Sequence, residues 1–199
     1  MIAVIDYGMG NLRSIHNALM KVEGNPVIVS DKRDLSDADG VVIPGVGSFG
    51  DAMRNLTPFA DKLFDLIDSG IPLLGICIGM QVLFEWSEES DCAGFELIEG
   101  NVIRLPEGVK VPQMGWNELT IHNDTDLLAG IDDGDFFYFV HSYYCVPRDQ
   151  QTIVATTDYG VDMAAVVEKD NIHAVQFHPE KSSKKGLLIL KNFVEMVEC

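Results

Sequence analysis

The sequence predicts an α/β fold: an open, mainly parallel sheet flanked by helices, with an added antiparallel strand layer in the second half. Three observations carry this reading. Short apolar runs recur at Met1–Asp6, Pro26–Ser30, Gly40–Pro44 and Ile71–Ile76, as strands buried in a sheet should. Segments with apolar residues at helical spacing lie between them, and strands alternating with helices imply right-handed crossovers and parallel neighbours. From Phe95 to Val175 the signals change to short strands and turns.

In order along the chain, Met1–Asp6 reads as a buried strand. Asn11–Val22 carries Leu12, Ile15, Ala18, Leu19 and Val22 on one helical face. Strands at 26–30 and 40–44 follow. Ala52, Met53, Leu56, Phe59, Leu63, Phe64 and Ile67 mark a helix that Gly70 ends. Ile71–Ile76 is the central strand, and Ile78–Trp86 is read as the helix after it. In the second half, Phe136–Val140 and Met163–Val167 are the clearest strands. A last helix, Lys184–Val197, carries Leu187, Leu188, Leu190, Val194 and Val197. There is no repeat, low-complexity tract or linker, so residues 1–199 are expected to form one domain.

Composition narrows the function classes. At 199 residues and 47% hydrophobic content the chain suits a globular domain with a sizeable core. The net charge of −17 argues against a nucleic-acid surface, which needs clustered Lys and Arg. The one basic cluster is Lys181, Lys184 and Lys185. No apolar run reaches the roughly 18 residues of a membrane span. Four cysteines, Cys77, Cys92, Cys145 and Cys199, lack metal-site spacing, and no signal peptide precedes them. The expectation is a reduced, cytoplasmic protein with no metal and no cofactor.

The chemistry begins at Leu73–Gln81, which reads Leu-Leu-Gly-Ile-Cys-Ile-Gly-Met-Gln. Gly-x-Cys-x-Gly between an apolar strand and an apolar helix is the cysteine form of the nucleophile elbow, a sharp turn that pushes one side chain out at a sheet edge. Cys77 then sits at a helix N-terminus, where the dipole favours an anion. Residues 174–182, Ala-Val-Gln-Phe-His-Pro-Glu-Lys-Ser, supply a base and its orienting acid. Pro179 keeps His178 out of the helical region, so His178 and Glu180 leave the strand end together. Cys77, His178 and Glu180 thus provide nucleophile, base and acid. His141, among aromatics and without a neighbouring carboxylate, reads as a structural histidine.

Acyl transfer also needs backbone N–H groups aimed at an oxyanion. One falls to Ile78, the residue after the nucleophile, and Val46 or Gly47 of the glycine-rich loop Pro44–Gly50 fits the second. Gln81 lies one helical turn beyond Cys77 and shares its face.

These three segments together resemble the class I (triad) glutamine amidotransferases. Ile5–Ser14, Val111–Asn117 and Tyr138–Tyr144 resemble more narrowly the glutaminase subunits of imidazole glycerol phosphate synthase, and the similarity runs nearly end to end. The resemblance implies glutamine as substrate, with Gly45, Gln81, Ser142 and Tyr143 at its binding site. It also implies a heterodimer with a (β/α)₈ cyclase subunit, which Asn11, Arg13, Met114, Trp116 and Asn117 would face. Sugar amidation and pyridoxal phosphate synthesis use related glutaminases, and cysteine peptidases and γ-glutamyl hydrolases share similar folds; Gln81 and the short chain lean against the latter. The pattern has leucine where this chain has Ile78, and commonly histidine where it has Gln113.

Overall fold

The computed structural model describes residues 1–198; Cys199 lies outside the described residues. The first half runs β1 (Ile2–Ile5), α1 (Leu12–Lys21), β2 (Pro26–Val29), β3 (Gly40–Ile43), α2 (Phe49–Leu56), α3 (Ala60–Asp68), β4 (Leu73–Ile76) and the one-turn α4 (Ile78–Gln81). Then follow β5 (Phe84–Ser87), β6 (Cys92–Ala93), β7 (Ile98–Arg104), β8 (Gln113–Glu118), β9 (Thr120–Ile121), β10 (Phe136–His141), β11 (Tyr143–Pro147), β12 (Ile153–Asp158), β13 (Asp162–Lys169), β14 (Ile172–Val175) and α5 (Ser183–Glu198).

The main sheet has the order β2-β1-β3-β4-β14-β13-β12-β9. Its first five strands are parallel and its last three antiparallel. A four-stranded sheet, β11-β7-β5-β6, and a hairpin-like pair, β10-β8, supply the added layer. That layer starts earlier than Phe95, at β5, and contains one parallel pair, β5 with β7.

Every residue of β1, β3, β4 and β14 is buried. Their side chains alternate between two cores, as the two-residue period of a strand requires. Ala3, Ile5, Val41, Ile43 and Leu73 pack with Phe49, Ala52, Leu56 and Leu63 of α2 and α3. Ile2, Val4, Val42, Leu74 and Ile76 pack with Ile15, Leu19, Ile189, Leu190 and Phe193 of α1 and α5. Each large apolar side chain so buried contributes about 1.5–3 kcal/mol. Asn11 caps α1 by accepting the Ser14 N–H, and Ser48 caps α2 by accepting that of Asp51.

Two expectations are corrected. The helix marked by Ala52–Ile67 is two helices, joined by a 3₁₀ turn at Thr57–Phe59. Pro58 lacks the N–H that would continue the ladder of α2. The helix after the elbow ends at Gln81 rather than at Trp86. The Val82 carbonyl accepts from Phe95 N–H, and the Leu83 carbonyl from Leu97 and Ile98 N–H. The chain therefore turns into β5, where Phe84 and Trp86 pair with β7. Strand pairing from a distant segment overrides the local helical spacing.

α4 sits hard against the strand ends. A Cβ on Gly79 would lie 1.9 Å from the Ile43 carbonyl oxygen, and one on Gly75 2.6 Å from the Gly79 carbonyl oxygen. Gly70, by contrast, has φ +83° and open space around it. Gly70→Ala is expected to cost about 1 kcal/mol through its dihedral alone. Gly79→Ala is expected to cost about 3 kcal/mol or more, because backbone must move. Urea unfolding of both variants checks this; equal midpoints would show that α4 does not depend on the close approach.

Candidate active site

β4 and β14 are parallel neighbours, with Ile76 opposite Val175, and the Cys77 N–H donates to the Val175 carbonyl at 2.8 Å. The two chains therefore leave the sheet side by side at its carboxyl edge, where open α/β sheets place ligand sites. Cys77 has φ +54° and ψ −107°, a strained conformation for a residue with a side chain. The strain is held by the packing of Gly75 and Gly79 just described.

His178 is extended, with φ −101° and ψ 98°, and its N–H donates to the Tyr138 carbonyl at 2.9 Å. The 3₁₀ turn Pro179–Lys181 then brings Glu180 back to the ring: His178 Nδ1 lies 2.9 Å from Glu180 Oε1, and both side chains are buried. A carboxylate only accepts, so Nδ1 carries the proton and Nε2 is left for Cys77. Ser182 braces the turn, donating to the His178 carbonyl at 2.7 Å and accepting from the Tyr138 N–H at 2.9 Å. Burial pulls the His178 pKa down, but the interactions with Cys77 and Glu180 outweigh it and raise it to about 9. Nε2 makes no hydrogen bond of ordinary geometry. It is the nitrogen left free for the sulfur, and catalytic hydrogen bonds are often not fully formed before substrate binds.

A cavity of about 270 Å³ opens on Cys77. Val46, Gly47, Ile78, Gln81 and Tyr143 line it, as does His141. Gly45 and Asn11 lie on the other side of the loop, against a small cleft shared with His178 and Glu180. Ser142 is half-buried just beyond and is not among the lining residues; its carbonyl accepts the Leu105 N–H at 3.0 Å. A Cβ on Gly45 would lie 1.9 Å from Ile78 Cγ2, so the glycine loop and the elbow are packed as one unit. Tyr7 ties the loop from below: its hydroxyl donates to the Pro44 carbonyl at 2.6 Å, and burial raises its pKa.

Four residues that sequence reasoning missed join the site. Glu89 lines the cavity and accepts the Phe49 N–H at 2.7 Å, fixed at the start of α2. Gln176 donates to Cys77 Sγ at 3.6 Å. The Val140 carbonyl lies 3.9 Å from the same sulfur. Lys181 reaches the cavity rim, with Nζ 5.9 Å from the Tyr138 ring centroid. The register of β14 beside β4 could have flagged Gln176, two residues before the histidine; Glu89 follows no periodic signal. His141 Nδ1 pairs with the Tyr143 carbonyl at 2.9 Å, and burial lowers its pKa to about 4, so it is neutral near pH 7.

The residues read as partner-facing are placed differently from one another. Met114 and Trp116 of β8 are 64% and 49% exposed, and Arg13 is exposed on α1. Asn117 is a half-buried brace: it accepts from Gln113 Nε2 at 2.8 Å and donates to the Asp158 carbonyl at 3.0 Å. Gln113 is accordingly buried under β8 rather than on its open face. A groove of about 640 Å³ runs between α1 and Trp116, with Lys181 and Lys184 on its wall. Among the described residues no cluster of three or more His, Cys, Asp or Glu is arranged to hold a metal, and no helix is long and apolar enough to cross a membrane.

The chain has relatives among known proteins. The family model for glutamine amidotransferase class-I matches residues 3–197. The imidazole glycerol phosphate synthase subunit HisH of Methanothermobacter thermautotrophicus is 54% identical, covering all of both chains. That of Halobacterium salinarum is 51% identical over 98% of this chain and 92% of its own. A solved structure of PurLQS from Thermotoga maritima, 21% identical, superposes over 98% of this chain and 97% of its own with a TM-score of 0.76, a likeness of fold. With an elbow cysteine, a buried His-Glu pair beside it and a family match over nearly its whole length, the chain belongs to the class-I glutamine amidotransferases.

Proposed function

We propose that the chain is the glutaminase subunit of an imidazole glycerol phosphate synthase, hydrolysing glutamine to glutamate and ammonia and passing the ammonia to a cyclase subunit in histidine biosynthesis. The observation that carries the chemistry is the meeting of Cys77, His178 and Glu180 at one sheet edge, beside a cavity of amino-acid size. Full-length identity of about half to relatives named for that synthase supports the pathway over the sugar-modifying and pyridoxal phosphate relatives.

In this reading Cys77 Sγ passes its proton to His178 Nε2 and attacks the side-chain amide carbon of glutamine. The carbonyl oxygen becomes an oxyanion, which the Ile78 N–H and the N–H of Val46 or Gly47 stabilise. His178 Nε2 gives its proton to the departing nitrogen, and ammonia leaves a γ-glutamyl thioester on Cys77. His178 then takes a proton from water, and the hydroxide cleaves the thioester. Glu180 moves no proton; it holds the ring and balances its charge. Gln81 spends both donors inside the protein, on the Tyr143 carbonyl and on Gln176 Oε1, so its own carbonyl remains to accept from the substrate's ammonium group. Glu89 offers that ammonium a carboxylate on the cavity wall.

Ammonia released to water near neutral pH becomes mostly ammonium, which is no nucleophile, so a closely docked acceptor enzyme is needed. The groove between α1 and Trp116 reaches Glu180 and is where we dock the cyclase. Cys77, Cys92 and Cys145 form no disulfide among the described residues, which fits the cytoplasmic setting proposed here.

Cys77→Ala is expected to lower glutamine hydrolysis by about four orders of magnitude or more, with the fold intact and ammonia-driven synthesis by the complex preserved. His178→Asn should be nearly as damaging, Glu180→Gln milder, and His141→Asn should leave a readily measured rate. Ammonia release assayed with the cyclase present checks the order; a wild-type rate in Cys77→Ala would end the assignment. The His178 pKa also predicts a pH dependence of stability. Its proton is held more tightly in the folded chain than at the ordinary value of 6.5. The linked stabilisation is therefore complete below about pH 6.5 and lost as pH rises through about 9. Urea midpoints should fall across that window, and Glu180→Gln should flatten the fall; parallel curves for both proteins would contradict the coupling.

A further inference from the structure

Gln176 stands apart from the triad yet touches its sulfur. It is fully buried, lies between β14 and His178, and its Nε2 is 3.6 Å from Cys77 Sγ. Which end of a carboxamide faces a neighbour is set by its hydrogen-bond network. Here the network has one fixed end. The Tyr143 carbonyl can only accept, and Gln81 lies 2.9 Å from it, so Gln81 must turn its NH₂ that way. The same nitrogen lies 3.1 Å from Gln176, which must therefore present its oxygen to Gln81. The Gln176 NH₂ is left pointing at Cys77. Any flip along this chain would set two acceptors or two donors face to face in a buried site, at the cost of an unmade hydrogen bond.

We propose that Gln176 holds the nucleophile: its carboxamide donates an N–H to Cys77 Sγ, favouring the thiolate over the thiol and fixing the sulfur for attack. This rests on Cys77 being the nucleophile. A donor from a neutral amide stabilises the anion without supplying a proton, so it does not compete with His178 for the acid's role. The alignment reaches back to the pocket, because Gln81, whose carbonyl is left for the substrate, is the residue that orients Gln176. Gln176 does not itself line the cavity, so its effect belongs to the sulfur rather than to substrate affinity.

The test is alkylation of the full chain by iodoacetamide as a function of pH, followed at the Cys77 and Cys92 peptides by mass spectrometry, with steady-state glutaminase kinetics in parallel. Gln176→Met keeps the volume and removes the donor. Gln176→Glu keeps the shape and places a carboxylate oxygen against the sulfur. Gln176→Met is expected to slow Cys77 alkylation near neutral pH by about tenfold or more, the scale of one hydrogen bond to a charged group. Its pH profile should move to higher pH, kcat should fall and KM should change little. Gln176→Glu should be slower still, since like charges oppose. Cys92, remote from Gln176, supplies the internal reference. Folded variants whose Cys77 profiles coincide with the wild type would overturn the proposal while leaving the triad standing. A wild-type Cys77 no more reactive than Cys92 would instead overturn the nucleophile assignment on which it rests.

Discussion

The parallel pairing of β4 with β14 is the constraint from which the site follows. Residues about a hundred positions apart in sequence become neighbours because Ile76 lies opposite Val175 and the Cys77 N–H bonds the Val175 carbonyl. Because side chains alternate along a strand, a slip of one residue would turn Gln176 and His178 to the opposite face and strand Cys77 without a base. Register in such a sheet is secured by burial on both faces. Ile76 and Val175 belong to the core under α1 and α5, while Leu73 and Ala174 belong to the one under α2 and α3. Chemistry at the edge is thus set by packing in the interior.

Two further devices turn that pairing into a reactive geometry. One is steric. Gly45, Gly75 and Gly79 let the elbow, the glycine loop and the end of β3 approach closer than any side chain permits, and that contact sustains the positive φ of Cys77. The other is polar. Buried donors and acceptors at the site are almost all committed: Glu180 to His178, Ser182 to the turn carrying it, Tyr7 to Pro44, Gln81 to Tyr143 and Gln176. Among the described residues two buried ring nitrogens at the site lack a partner, His141 Nε2 and His178 Nε2, and the latter is the one that must exchange a proton with the reacting atoms. Preorganisation of this kind lowers the reorganisation needed when charge develops.

Much of this was legible in the sequence because it depends on local rules. The Gly-x-Cys-x-Gly turn, the extended His178 before Pro179 and the alternation of strands with helices all follow from backbone sterics and periodicity. The break between α2 and α3 was missed, although Pro58 marks it locally. What was not legible depends on contacts between distant segments. Phe84 and Trp86 continue a helical pattern, yet β7 captures them as a strand. Glu89 owes its place to the N-terminus of α2, forty residues earlier, and Gln176 owes its role to the orientation of Gln81. Met114 and Trp116 lie on an exposed face while Asn117, in the same strand, turns inward to hold Gln113. Only the pairing of β8 with β10 separates these alternating positions into a face and a brace.

The central claim is that one sulfur, presented by the elbow and served by His178, carries the glutamyl group between amide and water. Rapid acid quenching of the synthase complex during turnover of isotopically labelled glutamine, followed by peptide mass spectrometry, examines that sulfur directly. The account predicts a labelled γ-glutamyl thioester on the peptide containing Cys77 and on no other. A label on the Cys92 or Cys145 peptide, or steady turnover with no covalent label on Cys77 at any quench time, would contradict it.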